Sequence, residues 1–572
     1  MEQRRFLIAM ILSGLVILVW QVFLMPPVEE FPEEHAEETV IEEEEIDPDA
    51  DPVDPAEAVA DREAPEFDLV DEDAETEAVA EVDVPVIEER RDVINARNIR
   101  VQMSNRGAVV TDVQVTSPEQ YSGVGGDLMR AFEEDAPSWP YSLVFTDQNI
   151  ELAPDQLFEV IEEESTLAAD GESYDRLTYR HVDPRNRFVV DKVYTVDQER
   201  EYVVRLAITV ENLLEDMRLV DTPALDIIGR DDPDKQTAFF DFRPDVLEGV
   251  CLTTDGTERA VFDKLEGTET HSQYDVIWAG ADTRYFLMSA APDNGAASCI
   301  FEAAENGGDY LRTRMVYDSF SIPPGGTWTA GHMLYMGPKD FGVLRDAGNR
   351  MEEAVDYGLL TILARPLRAA LAWFYGFTGN WGLAIILLTF VIKAATWRIT
   401  GKAYVNAERM KQIQPLIKEI REKYEKDQQR MTEETMKAFK ENNVSPLGCL
   451  PLLIQMPILY GLFVMIYNSV ELYQAEFLWY TDLSAPDPMF ILPVVMGGVM
   501  FIQQRLTMAT AATTNPQMMM VMKIMPIMFT AFMLFLPAGL VLYYLLNLLM
   551  GLAQQFLIKR RFRLAEEAGE SI

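Results

Sequence analysis

Apolar and polar positions divide this chain into stretches of different period. Residues 6–25 form an uncharged run of 20 residues behind Arg4 and Arg5. At 1.5 Å rise per residue such a run crosses a hydrocarbon core of about 30 Å. It exceeds the ~7–15 residues of a signal-peptide core, and Met25-Pro26-Pro27-Val28 offers no small-x-small cleavage site. Residues 1–27 therefore read as an uncleaved signal-anchor helix with its N-terminus in the cytoplasm and the next segment exported.

Between 93 and 345 the pattern alternates with period two, as in RFVVDKVY (187–194) and YVVRLAITV (202–210). Half-buried strands have this period. Turn signals at Asp255-Gly256, Asn294-Gly295 and 323–326 recur through the segment, which predicts a large antiparallel β-sandwich. Beyond it the period becomes helical. Residues 346–378 include Leu359, Leu360, Ile362, Leu363, Leu367, Leu371, Trp373 and Phe374, interrupted by Arg365, Pro366 and Arg368. That segment is too polar to span and predicts an amphipathic helix on the membrane surface. A helical core follows over 379–560, with spans at 381–397, 450–470, 490–506, 518–535 and 538–557 and a minimal turn at Pro537. Inside it, 399–445 reads as a cytoplasmic two-helix hairpin turning at 426–432, and 561–572 as a short cytoplasmic tail.

Charge supports this division. The net charge is −46, yet 28 acidic residues against the single Arg62 lie between 29 and 89. Residues 28–92 thus read as a disordered acidic linker, too poor in apolar groups to offset chain entropy. An acidic chain repels polyanions, so no nucleic-acid partner is expected. Eleven Lys and Arg fall between 398 and 440, Arg505 and Lys523 bracket another loop, and Lys559, Arg560, Arg561 and Arg563 follow the last apolar run. None lies between 471 and 488. Six transmembrane helices, one anchor plus a five-helix core, with both termini cytoplasmic, satisfy the positive-inside rule at every short loop.

Candidate chemistry is sparse. No GxxxxGK[ST], HExxH or GxSxG occurs, and His35, His181, His271 and His332 all precede the helical core, so no cofactor, metal or hydrolytic activity is expected. Cys251 and Cys299 can pair if exported, or can be ordinary buried residues. Lys393, inside the second span, is either a snorkelling cation or a functional one. Thr389 sits one turn earlier on the same face. Gln455, Asn468, Gln503, Gln504, Tyr543, Tyr544, Asn547, Gln554 and Gln555 add polar groups to other spans. Singly each reads as helix-packing glue; together they point to a water-accessible groove within the inner leaflet. Met518, Met519, Met520, Met522, Met525, Met528 and Met533 crowd the fifth span, either facing lipid or offering a pliable surface to apolar partners. Gly461, Gly497, Gly498 and Gly551 read as sites of close helix approach.

Three stretches carry a family resemblance: NVSPLGCLPLLIQMPI (443–458), DLSAPDP (482–488) with ILP (491–493), and FLPAGLVLYY (535–544). Their content and order resemble YidC-type insertases of the Gram-negative branch. That resemblance implies an α+β membrane protein of the cell inner membrane, a non-hydrolytic insertase and chaperone. It implies that the β-domain is periplasmic and a supersandwich similar to sugar-mutarotase domains. It further implies a hydrophilic groove holding Lys393, Thr389, Tyr544 and Gln455. Substrate helices would slide along Met456, Leu459, Phe463, Met525 and Met528. The partners implied are nascent membrane proteins, membrane lipids and the Sec translocon. Two departures stand out. Lys393 occupies the place of a family arginine, which keeps the charge but loses the fork of donors. The chain also ends soon after Arg563 with Glu566, Glu567 and Glu570, without the long basic tail through which some relatives contact ribosomes.

Overall fold

The computed structural model describes residues 87–567 apart from 122–138, 165–172, 231–245, 266–267, 272–274, 297, 304–309, 359–360, 445–449 and 509–515. The expected anchor and nearly all of the acidic linker lie outside the described residues, as does the tail beyond 567.

Alternating burial builds residues 91–338 into sheets. In spatial order the nine-stranded sheet runs Thr257–Val261, Glu248–Thr253, Val276–Asp282, Phe286–Pro292, Thr327–Pro338, Val203–Asn212, Phe188–Val196, Arg176–Val182, Glu159–Glu164. Facing it is a five-stranded sheet of Thr268–His271, Ser298–Ala303, Tyr310–Val316, Pro223–Arg230 and Ser142–Phe145. A three-stranded sheet, Arg91–Ala96, Ile99–Ser104 and Val109–Val115, stands at the start of the domain, and all paired strands in these sheets are antiparallel. Along 188–194 the inward positions are Phe188, Val190, Lys192 and Tyr194, as period two requires. Lys192 therefore enters the core, where its amine donates to the carbonyls of Gly107 at 3.1 Å and Tyr141 at 2.9 Å. Burial pushes that amine down to about 7.

Cys251 of the larger sheet and Cys299 of the smaller form a disulfide across the sandwich. Replacing both by serine is expected to cost the domain about 4 kcal/mol, the loop-entropy value for a bond between residues 48 apart. Thermal melting of the full-length protein in detergent checks this, and an unchanged midpoint refutes it.

Asp340 ends the β-domain and starts helix α1 (Phe341–Ala347): its carboxylate accepts from the backbone N–H of Gly342 and Val343. Helix α2 (Thr361–Thr378) buries Ala364 and Leu371 but leaves Ile362, Trp373 and Phe377 exposed. After the Asn380 cap, α3 (Trp381–Lys423) runs 43 residues without a break. The expected boundary between span and hairpin at 398 is absent. Nothing between Trp397 and Ala403 interrupts a helix, and the hydroxyls of Thr396 and Thr400 donate back to the carbonyls of Ile392 and Thr396. The hairpin turns at 424–427, slightly earlier than expected, because Asp427 caps α4 (Gln428–Glu441) by accepting from the N–H of Arg430. Ile413 and Ile417 of α3 pack on Val444, joined by Met410 and Phe439.

Helices α5 (Leu450–Asn468), α6 (Ile491–Met508), α7 (Pro516–Met533) and α8 (Ala538–Glu567) complete the described chain. Among the described residues, 381–423 and 538–564 are long and apolar enough to cross a membrane, with shorter apolar helices at 491–506 and 523–533. Gly461 and Gly497 face the side chains of Leu363 and Thr530 so closely that a Cβ would meet them at 2.9 and 2.5 Å. The loop motif at 482–488 docks on the motif at 535–544: the N–H groups of Ala538 and Gly539 donate to the carbonyls of Ala485 and Leu483 at 2.8 and 2.9 Å. Asp487, buried there, accepts from the N–H groups of Met489 and Leu492 and so starts α6.

Candidate functional site

The site is built on α8, which packs along α3 and α6, while α7 packs on α6 and α5 rests against α2, α3 and α8. Lys393 points into this bundle and is only 5% exposed. Its ammonium donates to Asn547 Oδ1 on α8 at 3.3 Å. One turn further along α8 stands Gly551. A Cβ there would lie 3.0 Å from the Tyr404 hydroxyl, 3.6 Å from Lys393 Nζ and 3.9 Å from Gln503 Nε2. Hydrogen-bond donors from α3 and α6 thus converge over a residue of α8 that has no side chain. One turn further, Gln554 ties α8 to α3: Thr400 donates to its carbonyl oxygen at 3.0 Å, and its amide donates to the Trp397 carbonyl at 2.8 Å.

The other expected groove residues are distributed around this cluster. Thr389 is buried one turn before Lys393 and its hydroxyl donates to the Ile385 carbonyl at 2.7 Å. Gln455 donates to the Tyr543 hydroxyl at 3.0 Å, joining α5 to α8. Tyr544 stacks obliquely on Phe529 of α7, with ring centroids 5.1 Å apart. The structure brings Lys393 together with Asn547 and pairs Gln455 with Tyr543 and Tyr544 with Phe529. Asn547 and Gln503 figured in the sequence only within a general polar set, and Tyr404 not at all. Positions 389, 393, 400 and 404 fall at i+4 and i+7 intervals on one helical face, a signal hidden by the expected helix end at 397. Gly551 was read as a point of close helix approach; here what approaches is a set of polar side-chain ends.

On the expected slide, Met456 of α5 is 54% exposed, and Met525 and Met528 of α7 are 44% and 57% exposed. Leu459 and Phe463 are half-buried against the core. The side chains of Met518, Met519 and Met522 lie outside the described residues. Next to the polar cluster, Phe390, Val391, Ala394, Trp397 and Arg398 of α3 and Met550 of α8 line an open apolar groove. Among the described residues no group of His, Cys, Asp and Glu is placed to hold a metal.

Comparison with known proteins supplies the frame. The family described as 60Kd inner membrane protein matches residues 373–566, and the YidC periplasmic domain matches 91–370. The membrane protein insertase YidC of Syntrophus aciditrophicus is 29% identical over 567 residues, covering 98% of this chain and 99% of that one. The membrane protein insertase YidC of Saccharophagus degradans is 34% identical over 396 residues, 67% of this chain and 70% of that one. A solved structure described as an active YidC insertase with the first transmembrane domain resolved aligns with a TM-score of 0.34 at 18% identity, covering 82% of this chain and 92% of that one. Two family descriptions lie end to end along 91–566, and a relative above 30% identity spans two thirds of the sequence: this chain belongs to the YidC family of 60Kd inner membrane proteins.

Proposed function

We propose that the protein is an insertase and chaperone for inner-membrane proteins, acting through a polar groove open to the cytoplasm and to lipid. The observation that carries this reading is Lys393, a buried ammonium beside Asn547 within a helix otherwise apolar enough to span a bilayer. A cation is kept at such depth where it meets a partner or water, which marks a functional position. Around it the groove comprises Lys393, Thr389, Gln455 and Tyr544, together with Asn547, Tyr404 and Gln503. The slide comprises Met456, Leu459 and Phe463 on α5 and Met525 and Met528 on α7. Among the described residues α5 and α7 share no extensive packing, which supports a side open to lipid between them.

The groove lowers the barrier to moving a short polar segment by giving it water and a positive charge part-way across, while its apolar helix passes into lipid along flexible thioethers. Burial of the substrate's apolar surface supplies the driving force. Six spans cross the membrane, the last five holding this groove, with both termini cytoplasmic. The β-domain lies in the periplasm, where its disulfide suits an oxidising compartment. The exposed Ile362, Trp373 and Phe377 of α2 enter the headgroup layer. Nascent chains arrive directly or from the Sec translocon. The projecting hairpin of α3 and α4 is a surface available to a ribosome.

Photo-crosslinkers placed at Met456, Leu459 and Met528 test this reading. Stalled nascent membrane proteins are expected to crosslink at all three, and depletion of the protein to leave small membrane proteins uninserted. Normal insertion after depletion, without crosslinks, removes the proposal.

A further inference from the structure

The end of α5 and the loop behind it are gripped from two sides. Arg284 of the β-domain lies 3.2 Å above the Tyr467 ring, and its Nε donates to the Tyr467 carbonyl at 3.0 Å. Tyr121 of the β-domain donates its hydroxyl to the Val470 carbonyl at 3.1 Å, and the Tyr473 ring sits 4.7 Å from that of Tyr285. Between these contacts Glu471 is buried, 7% exposed, and accepts from Arg368 of α2 at 2.8 Å. Arg368 in turn lies 4.1 Å over the Phe341 ring of α1.

A buried ion pair is a poor source of stability, because desolvating two charges offsets most of their attraction; where one persists, its geometric selectivity is the property that a pair of apolar residues would lack. Burial, reinforced by Asp340, pushes the Glu471 carboxyl up to about 7, and Arg368 draws it back only in part. A neutral glutamine of the same shape would be cheaper to desolvate but would leave the Arg368 guanidinium, 14% exposed, facing only an amide oxygen. The carboxylate at this point is therefore tied to the place of Arg368 on α2.

We propose that the Arg368–Glu471 pair is a positioning device that fixes the rotation and tilt of α5 against α2, and so aims the slide face of Met456, Leu459 and Phe463. The pair joins the surface helix to the periplasmic end of the third span, the point from which a small rotation is carried along the whole of α5. That this face meets substrate rests on the proposed function; that the pair orients α5 does not.

The test uses the full-length protein with R368E, E471R, the exchange R368E/E471R and the milder E471Q. Each is read for nascent-chain crosslinking at Met456 relative to Met528, for spin-label distances between α2 and α5, and for the melting midpoint. Each single reversal is expected to lower the Met456 to Met528 crosslinking ratio at least 5-fold and to broaden the α2–α5 distance. The exchange is expected to restore both to within about 2-fold of the parent, and E471Q, which leaves Arg368 without this counter-charge, to lower the ratio with a smaller midpoint loss than either reversal. Unchanged ratio and distance in folded single variants would overturn the proposal, as would an equal fall at both crosslinking positions. If the parent itself gives no crosslinks, the insertase reading fails while the distance measurement still decides the role of the pair.

Discussion

Replacing Lys393 with alanine lowers insertion of substrates whose translocated segment carries an acidic residue by more than tenfold, and replacing it with glutamate abolishes their insertion. Two unit charges about 4 Å apart interact by roughly 4 kcal/mol at an effective dielectric of about 20. Retaining half of that in the hydrated groove proposed above leaves about 2 kcal/mol, or roughly 30-fold in an equilibrium. Alanine removes the attraction and leaves Asn547 to water. Glutamate turns it into repulsion of similar size and adds a carboxylate beside Asn547 Oδ1, which cannot donate to it. Arginine keeps the charge and restores a fork of donors, so it holds or raises insertion. Protease protection of a labelled small membrane protein in membranes depleted of the native copy measures the effect. Parental insertion by the alanine variant across acidic and neutral substrates would reduce Lys393 to a structural cation.

Much of the architecture could be read from the chain because the determining signals are local. Alternation along 188–194 and 203–212 selects sheet faces, and apolar runs ending near Arg398, Arg505 and Lys559 select helices. The same alternation turned Lys192 inward, where only the tertiary placement of the Gly107 and Tyr141 carbonyls makes a lysine acceptable. The Cys251–Cys299 bond was undecidable because it joins strands of different sheets, a proximity no spacing encodes.

The site was legible in its charge and illegible in its partners. Lys393 stands out in an apolar run, but its neighbours Asn547, Gln503 and Tyr404 come from other helices or from beyond the expected end of its own. Some of the motifs that carry the family resemblance reach this site through Gln455 and Tyr544, while others are informative about something else. DLSAPDP and FLPAGL hold each other through backbone hydrogen bonds at the far end of α8 from Gln554, so their form reflects a docking geometry and not the chemistry of the groove.

Gly551 is where local and tertiary demands separate most clearly, and enlarging it progressively is expected to close the groove while leaving the fold intact. In the middle of a helix glycine costs about 1 kcal/mol relative to alanine. Gly551→Ala should therefore raise the melting midpoint slightly, since its Cβ requires only that the Tyr404 hydroxyl, the tip of a flexible side chain at 3.0 Å, move by a few tenths of an ångström. Gly551→Leu keeps the helix gain but directs three further carbons among Tyr404, Lys393 and Gln503. In the proposed groove those carbons take the space that hydrates the ammonium, which would then keep Asn547 Oδ1 as its partner, and the groove loses volume. Insertion is expected to fall less than 2-fold for alanine and more than 10-fold for leucine, with midpoints at or near the parent's for both. Had Gly551 served mainly to let helix backbones approach, alanine would already destabilise the protein and leucine would unfold it. Insertion of acidic substrates, measured beside thermal melting for the two variants, separates the cases, and a leucine variant that inserts like the parent would show that no substrate passes over this residue.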